Sequence, residues 1–200
     1  MPAGTIEEYK RSLDLATASA QTSFKINGQQ FQRRYYTSFD NNVGIIQLNQ
    51  HNDEVQQLGI SFQRQENIDR YTLLDDGILI EGFLPDGKGG KNLKFVGLIQ
   101  IKGKNLQISK KDKTLELSAK GGLTIYFSAS TSYYGKDPLP VVKAAVAAAK
   151  TAEEQKIYKN HLAAYQEIFN RVNLNLFGNK ANNAIPTNER IANFYKNPVQ

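Results

Sequence analysis

From Leu13 to Ser128 apolar residues recur at alternate positions in short runs, and each run stops at a turn-forming cluster. Alternation of this kind lines one face of a strand, whereas a helix would scatter the same residues around its surface. The strongest punctuation is Asn27-Gly28, between the runs 16–26 and 29–39. A two-residue hairpin turn needs positive φ at both central positions, and Asn and Gly supply it at least cost. Within 29–39, Phe31, Arg33 and Tyr35 fall on one face. Asp40-Asn41-Asn42 leads into 43–48, and 55–62 alternates again. Residues 71–74 and 78–80 flank Asp76-Gly77, and 93–101 follows a loop over 86–90. Residues 113–118 and 123–128 close the series across Gly121-Gly122. About ten short strands with turns every 8–12 residues predict an antiparallel β-sandwich or barrel. No internal repeat of longer period is visible.

The character changes at Asp137. Asp137 suits an N-cap, and Pro138 suits the first helical position, where its missing N–H costs nothing. An alanine-rich helix is expected over 138–150. A second is expected over 153–171, with Tyr158, Leu162, Tyr165, Phe169 and Val172 on one face. Ile157, His161, Ala164 and Ile168 run beside that stripe, so the apolar face is wide enough for two neighbours. A short strand over 173–177 and a polar loop over 178–183 follow. Thr187 reads as the N-cap of a third helix, with Ile191 and Phe194 on its apolar face.

A chain of 200 residues, 40% apolar and 22% charged, has the make-up of a globular domain with a sizeable core. No run is long and apolar enough for a membrane helix, and the first ten residues lack the apolar centre of a signal or transit peptide. There is no cysteine, which excludes disulfides and thiolate metal sites. His51 and His161 are the only histidines, which argues against a His-rich metal site or a Ser-His-Asp triad. The net charge of +6 is uneven: residues 1–100 hold 10 Lys/Arg and 12 Asp/Glu, residues 101–200 hold 15 and 7. Lys102, Lys104, Lys110, Lys111, Lys113 and Lys120 carry much of the excess. No nucleic-acid motif accompanies them, and lysine on strand edges discourages edge-to-edge pairing.

Candidates for chemistry are few. Asp53-Glu54, Asp75-Asp76 and Glu153-Glu154 are adjacent carboxylates, but neighbours on a strand point to opposite faces, and turns or helix starts explain them. Gly87-Lys88-Gly89-Gly90 lacks the spacing of a phosphate loop and reads as a hairpin loop. His161 reads as a packed, hydrogen-bonded helix residue. Tyr35-Tyr36 and Tyr133-Tyr134 suit both sugar stacking and half-buried strand positions. No catalytic, cofactor-binding or metal-ligating residue is assigned, and no cofactor is expected.

Several segments, taken in order, resemble glycoside hydrolase family 95, the α-L-fucosidases. They begin with Tyr9-Lys10-Arg11-Ser12-Leu13-Asp14-Leu15-Ala16-Thr17-Ala18 and the segment Phe31 to Ser38. Thr131-Ser132-Tyr133, Asp137-Pro138, and His161 with Tyr165 continue the likeness. Phe169-Asn170-Arg171-Val172 and Pro186-Thr187-Asn188-Glu189-Arg190 complete it. The resemblance implies a mainly β architecture: a supersandwich-like antiparallel β-sandwich over 1–130, incomplete at its N-terminus, then a helical linker of two to three helices over 131–200. That linker would lead into an (α/α)6 catalytic barrel outside this chain. It also implies that the whole enzyme removes terminal α-linked L-fucose with inversion, and that its acid and its water-activating groups belong to the barrel. The expected partners are that intramolecular barrel and, through it, a fucosylated glycan; neither nucleic acid nor membrane is expected. A stand-alone carbohydrate-binding sandwich is the alternative, weakened by the absence of tryptophan, and a basic nucleic-acid-binding domain is a more distant one.

Overall fold

The computed structural model describes residues 4–50, 55–174 and 184–196. The chain divides into two compact units, one running to Ile168 and the other starting at Phe169. The first unit holds strands β1 (Ile6–Asp14), β2 (Ser19–Ile26), β3 (Gln29–Ser38), β4 (Val43–Gln50), β5 (Val55–Ser61) and β6 (Ile68–Leu73). It continues with β7 (Gly77–Pro85), β8 (Lys91–Gly103), β9 (Gln107–Lys111), β10 (Thr114–Lys120) and β11 (Leu123–Thr131). A short 3-10 turn at Ser132–Tyr134 leads to helices α1 (Pro138–Thr151) and α2 (Glu154–Phe169). Eight strands form one sheet in the order β1-β2-β3-β4-β11-β8-β7-β6, and β5-β10-β9 form a second. Every pairing is antiparallel. The mainly β sandwich followed by helices is therefore the observed architecture, with two sheets of unequal width.

Strand β8 shows how the sequence builds three layers. Its even-numbered residues Lys94, Val96, Leu98, Gln100 and Lys102 lie on one face, and Phe95, Gly97, Ile99 and Ile101 on the other. The first set is apolar in the middle and polar at both ends, matching a helix laid across it. Val96 and Leu98 join Tyr36, Val43, Ile45, Leu79 and Tyr126 in a core closed by Val142, Val146, Ala149 and Ile157 from the helices. The second set faces the small sheet: Ile78, Ile80, Ile101 and Leu123 pack with Leu115, Leu117 and Ala119 of β10. A central strand covered on both faces reads as a nearly continuous apolar run, as β7 and β8 do.

Helix α1 buries Pro138, Val142, Val146 and Ala149, a stripe at helical spacing. Val142 and Val146 are completely covered, each contributing about 1.5–3 kcal/mol relative to exposure. The Asp137 side chain accepts from the Leu139 amide, so the predicted cap and the Pro138 start are both present.

The structure corrects several expectations. β9 was not expected; its two lysines masked the alternation that Ile108 continues. α2 ends at Phe169, and its buried residues are Ile157 and His161 rather than the Tyr158-to-Val172 stripe. Phe169 is 39% and Val172 80% exposed. Asn173 and Leu174 are not in a strand, and the rest of the 173–177 strand and the 178–183 loop lie outside the described residues. His51 and Asp53-Glu54 lie outside them too. In the second unit, α3 (Thr187–Lys196) takes Thr187 as its first helical residue rather than its cap. The Arg190 amide donates to the Pro186 carbonyl at 3.0 Å. No described helix is long and apolar enough to cross a membrane.

Candidate functional site

The most developed polar chemistry in the first unit is the seam that holds α1 and α2 against the large sheet. α1 is tied at both ends. At its start, Lys94 Nζ donates to Asp137 Oδ1 at 2.8 Å while the same carboxylate caps the helix, and both effects hold that carboxyl below its ordinary range. At its end, Lys102 Nζ donates to the Lys150 carbonyl at 2.8 Å. The Lys150 ammonium binds Asp76, whose other oxygen accepts from Gln100 Nε2 at 3.0 Å. Cations beside the last carbonyls also suit the helix dipole. Lys94, Gln100 and Lys102 are the polar ends of the β8 face that α1 covers.

Glu154 plays the same part at the start of α2. Its carboxylate accepts from Thr124 Oγ1 at 2.7 Å, Gln47 Nε2 at 2.8 Å and Tyr126 Oη at 3.3 Å. Gln47 and Thr124 are register partners on β4 and β11, so one helical carboxylate bridges two strands. Hydrogen bonds to an ionised acceptor are about twice as strong as neutral ones. Burial, reinforced by the Glu154 charge, pushes the Tyr126 hydroxyl well above its ordinary pKa and the Tyr36 hydroxyl up to about 12.

Farther along α2 three side chains reach the turn between β1 and β2. His161 Nε2 lies 2.8 Å from the Thr17 carbonyl, which requires the proton on Nε2. Tyr165 Oη donates to the Leu15 carbonyl at 2.6 Å and Gln166 Nε2 to the Ala16 carbonyl at 3.0 Å. These are turn carbonyls outside the sheet ladders, which would otherwise need water. The Tyr36, Tyr158 and Tyr165 rings surround the imidazole with centroids 5.2, 5.9 and 6.2 Å away. His161 is thus packed and hydrogen-bonded, as its setting in the sequence suggested.

The other singled-out residues are spread over the fold. Asp75 pairs with Lys110 at 2.8 Å, and the Lys110 hydrogen bond lowers its pKa. Asp75 and Asp76 share the β6–β7 turn but serve different partners. Glu153 and Glu154 diverge: Glu154 enters the seam, and Glu153 is exposed. Asp86 Oδ1 accepts from the Lys88 and Gly90 amides at 2.7 and 2.9 Å, so residues 86–90 form the β7–β8 hairpin loop. Tyr36 is buried under the helices and Tyr35 is half-buried on the opposite face. Tyr133 and Tyr134 stand in the 3-10 turn, 74% and 86% exposed, with rings edge-to-face at 5.0 Å. Lys110 and Lys111 lie on β9, an edge strand of the small sheet. Among the described residues, no cluster of three His, Asp or Glu side chains is placed to hold a metal ion.

Sequence reasoning passed over Lys94, Gln100, Lys150 and Gln166 of the seam, and also its strand pair Gln47 and Thr124. The signal for that pair was parity: each is a polar residue on the face where Ile45 and Tyr126 are core.

The arrangement, a sandwich with a helix pair clamped to its outer face, has known counterparts. The family profile described as glycosyl hydrolase family 65, N-terminal domain, matches residues 1–136. Alpha-L-fucosidase 2 of Arabidopsis thaliana is 25% identical over 235 aligned residues, covering 95% of this chain and 26% of that protein. A putative kojibiose phosphorylase from the human microbiome shares the fold, with a TM-score of 0.64 and 11% identity, over 83% of this chain and 25% of that one. The chain thus spans about a quarter of the length of these two relatives. With the profile covering well over half of its 200 residues, the chain belongs to the family of glycosyl hydrolase family 65 N-terminal domains.

Proposed function

We propose that this chain is the non-catalytic N-terminal sandwich and helical brace of a glycoside hydrolase that removes terminal α-linked L-fucose with inversion. Its task is mechanical: it presents a rigid sheet and a fixed helix pair to an (α/α)6 barrel that holds the reacting groups. The observation that carries the reading is the seam. Carbonyls of the β1–β2 turn, Glu154 and both ends of α1 are all spent on holding residues 138–168 in one pose. Likeness to the plant α-L-fucosidase runs through these helices, across 95% of the chain, and supports fucose as the sugar. Inversion needs two carboxyl groups roughly 6.5–9.5 Å apart with a water between them. Here Asp69, Asp75, Asp76, Glu81, Asp137 and Glu154 serve ion pairs, a cap and the helix seam.

The test is to assay the purified chain and the full-length protein that contains it against an aryl α-L-fucoside, and against kojibiose with phosphate. The reading expects no turnover by the chain alone. It expects release of β-L-fucose as the first anomer, seen by NMR, from the full-length protein. Turnover by the chain that disappears on changing one of its own carboxylates would overturn the non-catalytic assignment. Phosphate-dependent cleavage of kojibiose in place of fucoside hydrolysis would overturn the sugar and the reaction, leaving the structural role intact.

A further inference from the structure

The large sheet is covered unevenly. On the face that receives the small sheet, the core involves β4, β11, β8, β7 and β6 but no residue of β1, β2 or β3. Over those three strands Phe24, Ile26 and Phe31 form a small buried cluster of their own on that face, and beside it lies a groove of about 700 Å³ lined in part by Tyr9, Arg11, Leu13, Phe24, Arg33 and Tyr35. Register puts them together: Arg11, Thr22 and Arg33 are successive partners across the three strands, as are Leu13, Ala20 and Tyr35. A bulge at Glu8, with φ of 50°, shifts the β1 register so that Tyr9 falls on this face as well.

We propose that this groove is a binding site for an acidic oligosaccharide, one carrying carboxylate or sulfate groups on its rings. Three observations carry it. First, the face is cationic, with no ion pair to offset it among the described residues. Alternation places Glu7 and Asp14 on the opposite face, and Glu8 at the bulge is paired with Lys25 at 2.6 Å. The ion pairs among the described residues involve neither Arg11 nor Arg33. Second, the Arg33 guanidinium lies over the Phe24 ring at 5.1 Å, and Phe24 is itself stacked on Phe31 at 5.2 Å. Stacking occupies the face of a guanidinium and leaves its in-plane N–H donors unspent, the set that grips a carboxylate or sulfate in bidentate fashion. Third, Tyr9 is 57% exposed beside these charges, offering a ring face to a sugar.

Two strand spacings, roughly 10 Å, separate Arg11 from Arg33, so one polyanionic chain can engage both. A saccharide fits better than an acidic peptide. A ligand in the groove lies on the face of the sheet, where the peptide groups of β2 and β3 are already paired in the ladders and only side chains are presented. Strand addition there is confined to the outer edge of β1, which titration with oligoglutamate tests.

The test is titration of the full chain with trigalacturonate, its neutral methyl ester, inorganic sulfate and a short oligoglutamate, followed by calorimetry and amide chemical shifts. Trigalacturonate should bind, shifting amides of β1 to β3, and at least tenfold more tightly than the methyl ester. Arg11→Gln and Arg33→Gln should each weaken it at least tenfold. Arg11 is on the exposed strand surface, so its variant folds even if the Arg33 variant does not. Tyr9→Ala should weaken the saccharide and leave sulfate unchanged. Equal affinity for acid and ester, sulfate binding as tight as the saccharide, tighter binding of oligoglutamate, or no saccharide binding at millimolar concentration would each overturn the assignment.

Discussion

Two tyrosines of one core should respond in opposite directions to loss of their hydroxyl groups. Tyr36 is 5% exposed, stands edge-on to Tyr158 at 5.1 Å, and its hydroxyl has no hydrogen-bond partner among the described residues. Tyr126 is fully buried on β11 and donates to Glu154 at 3.3 Å. An unpaired buried hydroxyl carries a desolvation penalty of about 1–3 kcal/mol, which Tyr36→Phe removes. The lost oxygen also gave up a few dispersion contacts of about 0.1–0.2 kcal/mol each. The net expectation is stabilisation by about 1 kcal/mol, or about 2–4 °C in Tm for a domain of this size. Tyr126→Phe deletes a bond to a charged acceptor, worth about 1.5–3 kcal/mol in general, and its length places it near the low end.

Urea unfolding of the two variants, followed by far-UV circular dichroism, measures the pair directly. A second readout is alkaline pH. Burial raises the Tyr36 pKa from 10.0 to about 12, so the folded state keeps the proton longer than the unfolded chain does. The associated stability is complete below pH 10 and is lost as pH rises toward 12, at about 1.4 kcal/mol per unit. Tyr36→Phe should flatten that decline without abolishing it, because Tyr126 is raised as well. If Tyr36→Phe destabilises the protein by a kilocalorie or more, or leaves the alkaline slope untouched, the hydroxyl is not an orphan and this account of the core fails.

Gly77→Ala should be severe, costing about 1–3 kcal/mol or more, because an added Cβ would sit 2.0 Å from the Ile99 carbonyl oxygen and part β7 from β8; a thermal melt close to the parent's would contradict it. Glu154→Ala should free the start of α2, leaving Thr124 and Gln47 without their shared acceptor, and limited proteolysis near residues 150–154 should rise sharply. Backbone hydrogen bonds from Lys88 and Gly90 hold the Asp86 carboxyl below its ordinary 3.8. Its support of the β7–β8 loop is present above that pH and is lost as pH falls through the lowered value, so exchange at the Gly90 amide should accelerate only in strong acid.

Most of the fold was legible because strand periodicity and turn chemistry agree. Asn27-Gly28 does lie between β2 and β3, with φ of 52° and 77° at the two positions. Asp137-Pro138 opens α1 because a cap and a ring-fixed φ are local properties. What was not legible depends on partners far away in the chain. The stripe from Tyr158 to Val172 satisfies helical spacing, yet the docked face is set by where the β1–β2 turn lies, about 150 residues earlier, as the Tyr165–Leu15 bond shows. β9 was hidden for a different reason: an edge strand of a small sheet needs only Ile108 on its covered face, so Lys110 and Lys111 cost it nothing. The groove on β1 to β3 depends on which strands the small sheet covers, which no local pattern encodes.

Arg33 and Arg34 make the dependence on coverage concrete. They are neighbours on β3, and alternation sends them to opposite faces of the same sheet. Each lays its guanidinium on an aromatic ring, Arg33 over Phe24 at 5.1 Å and Arg34 over Tyr158 at 4.8 Å. The local physics is the same, a cation on a π-face worth about 0.5–2 kcal/mol. The consequences differ because of what lies above. Tyr158 belongs to α2, so Arg34 helps fasten the helix to the sheet, and replacing it should loosen the brace. Phe24 is buried within the sheet's own small cluster at the side of the groove, so Arg33 fastens no second layer and its donors are left for a ligand. One residue of register thus separates a structural arginine from a recognition arginine, through the pleat of the strand and the width of the layers laid over it.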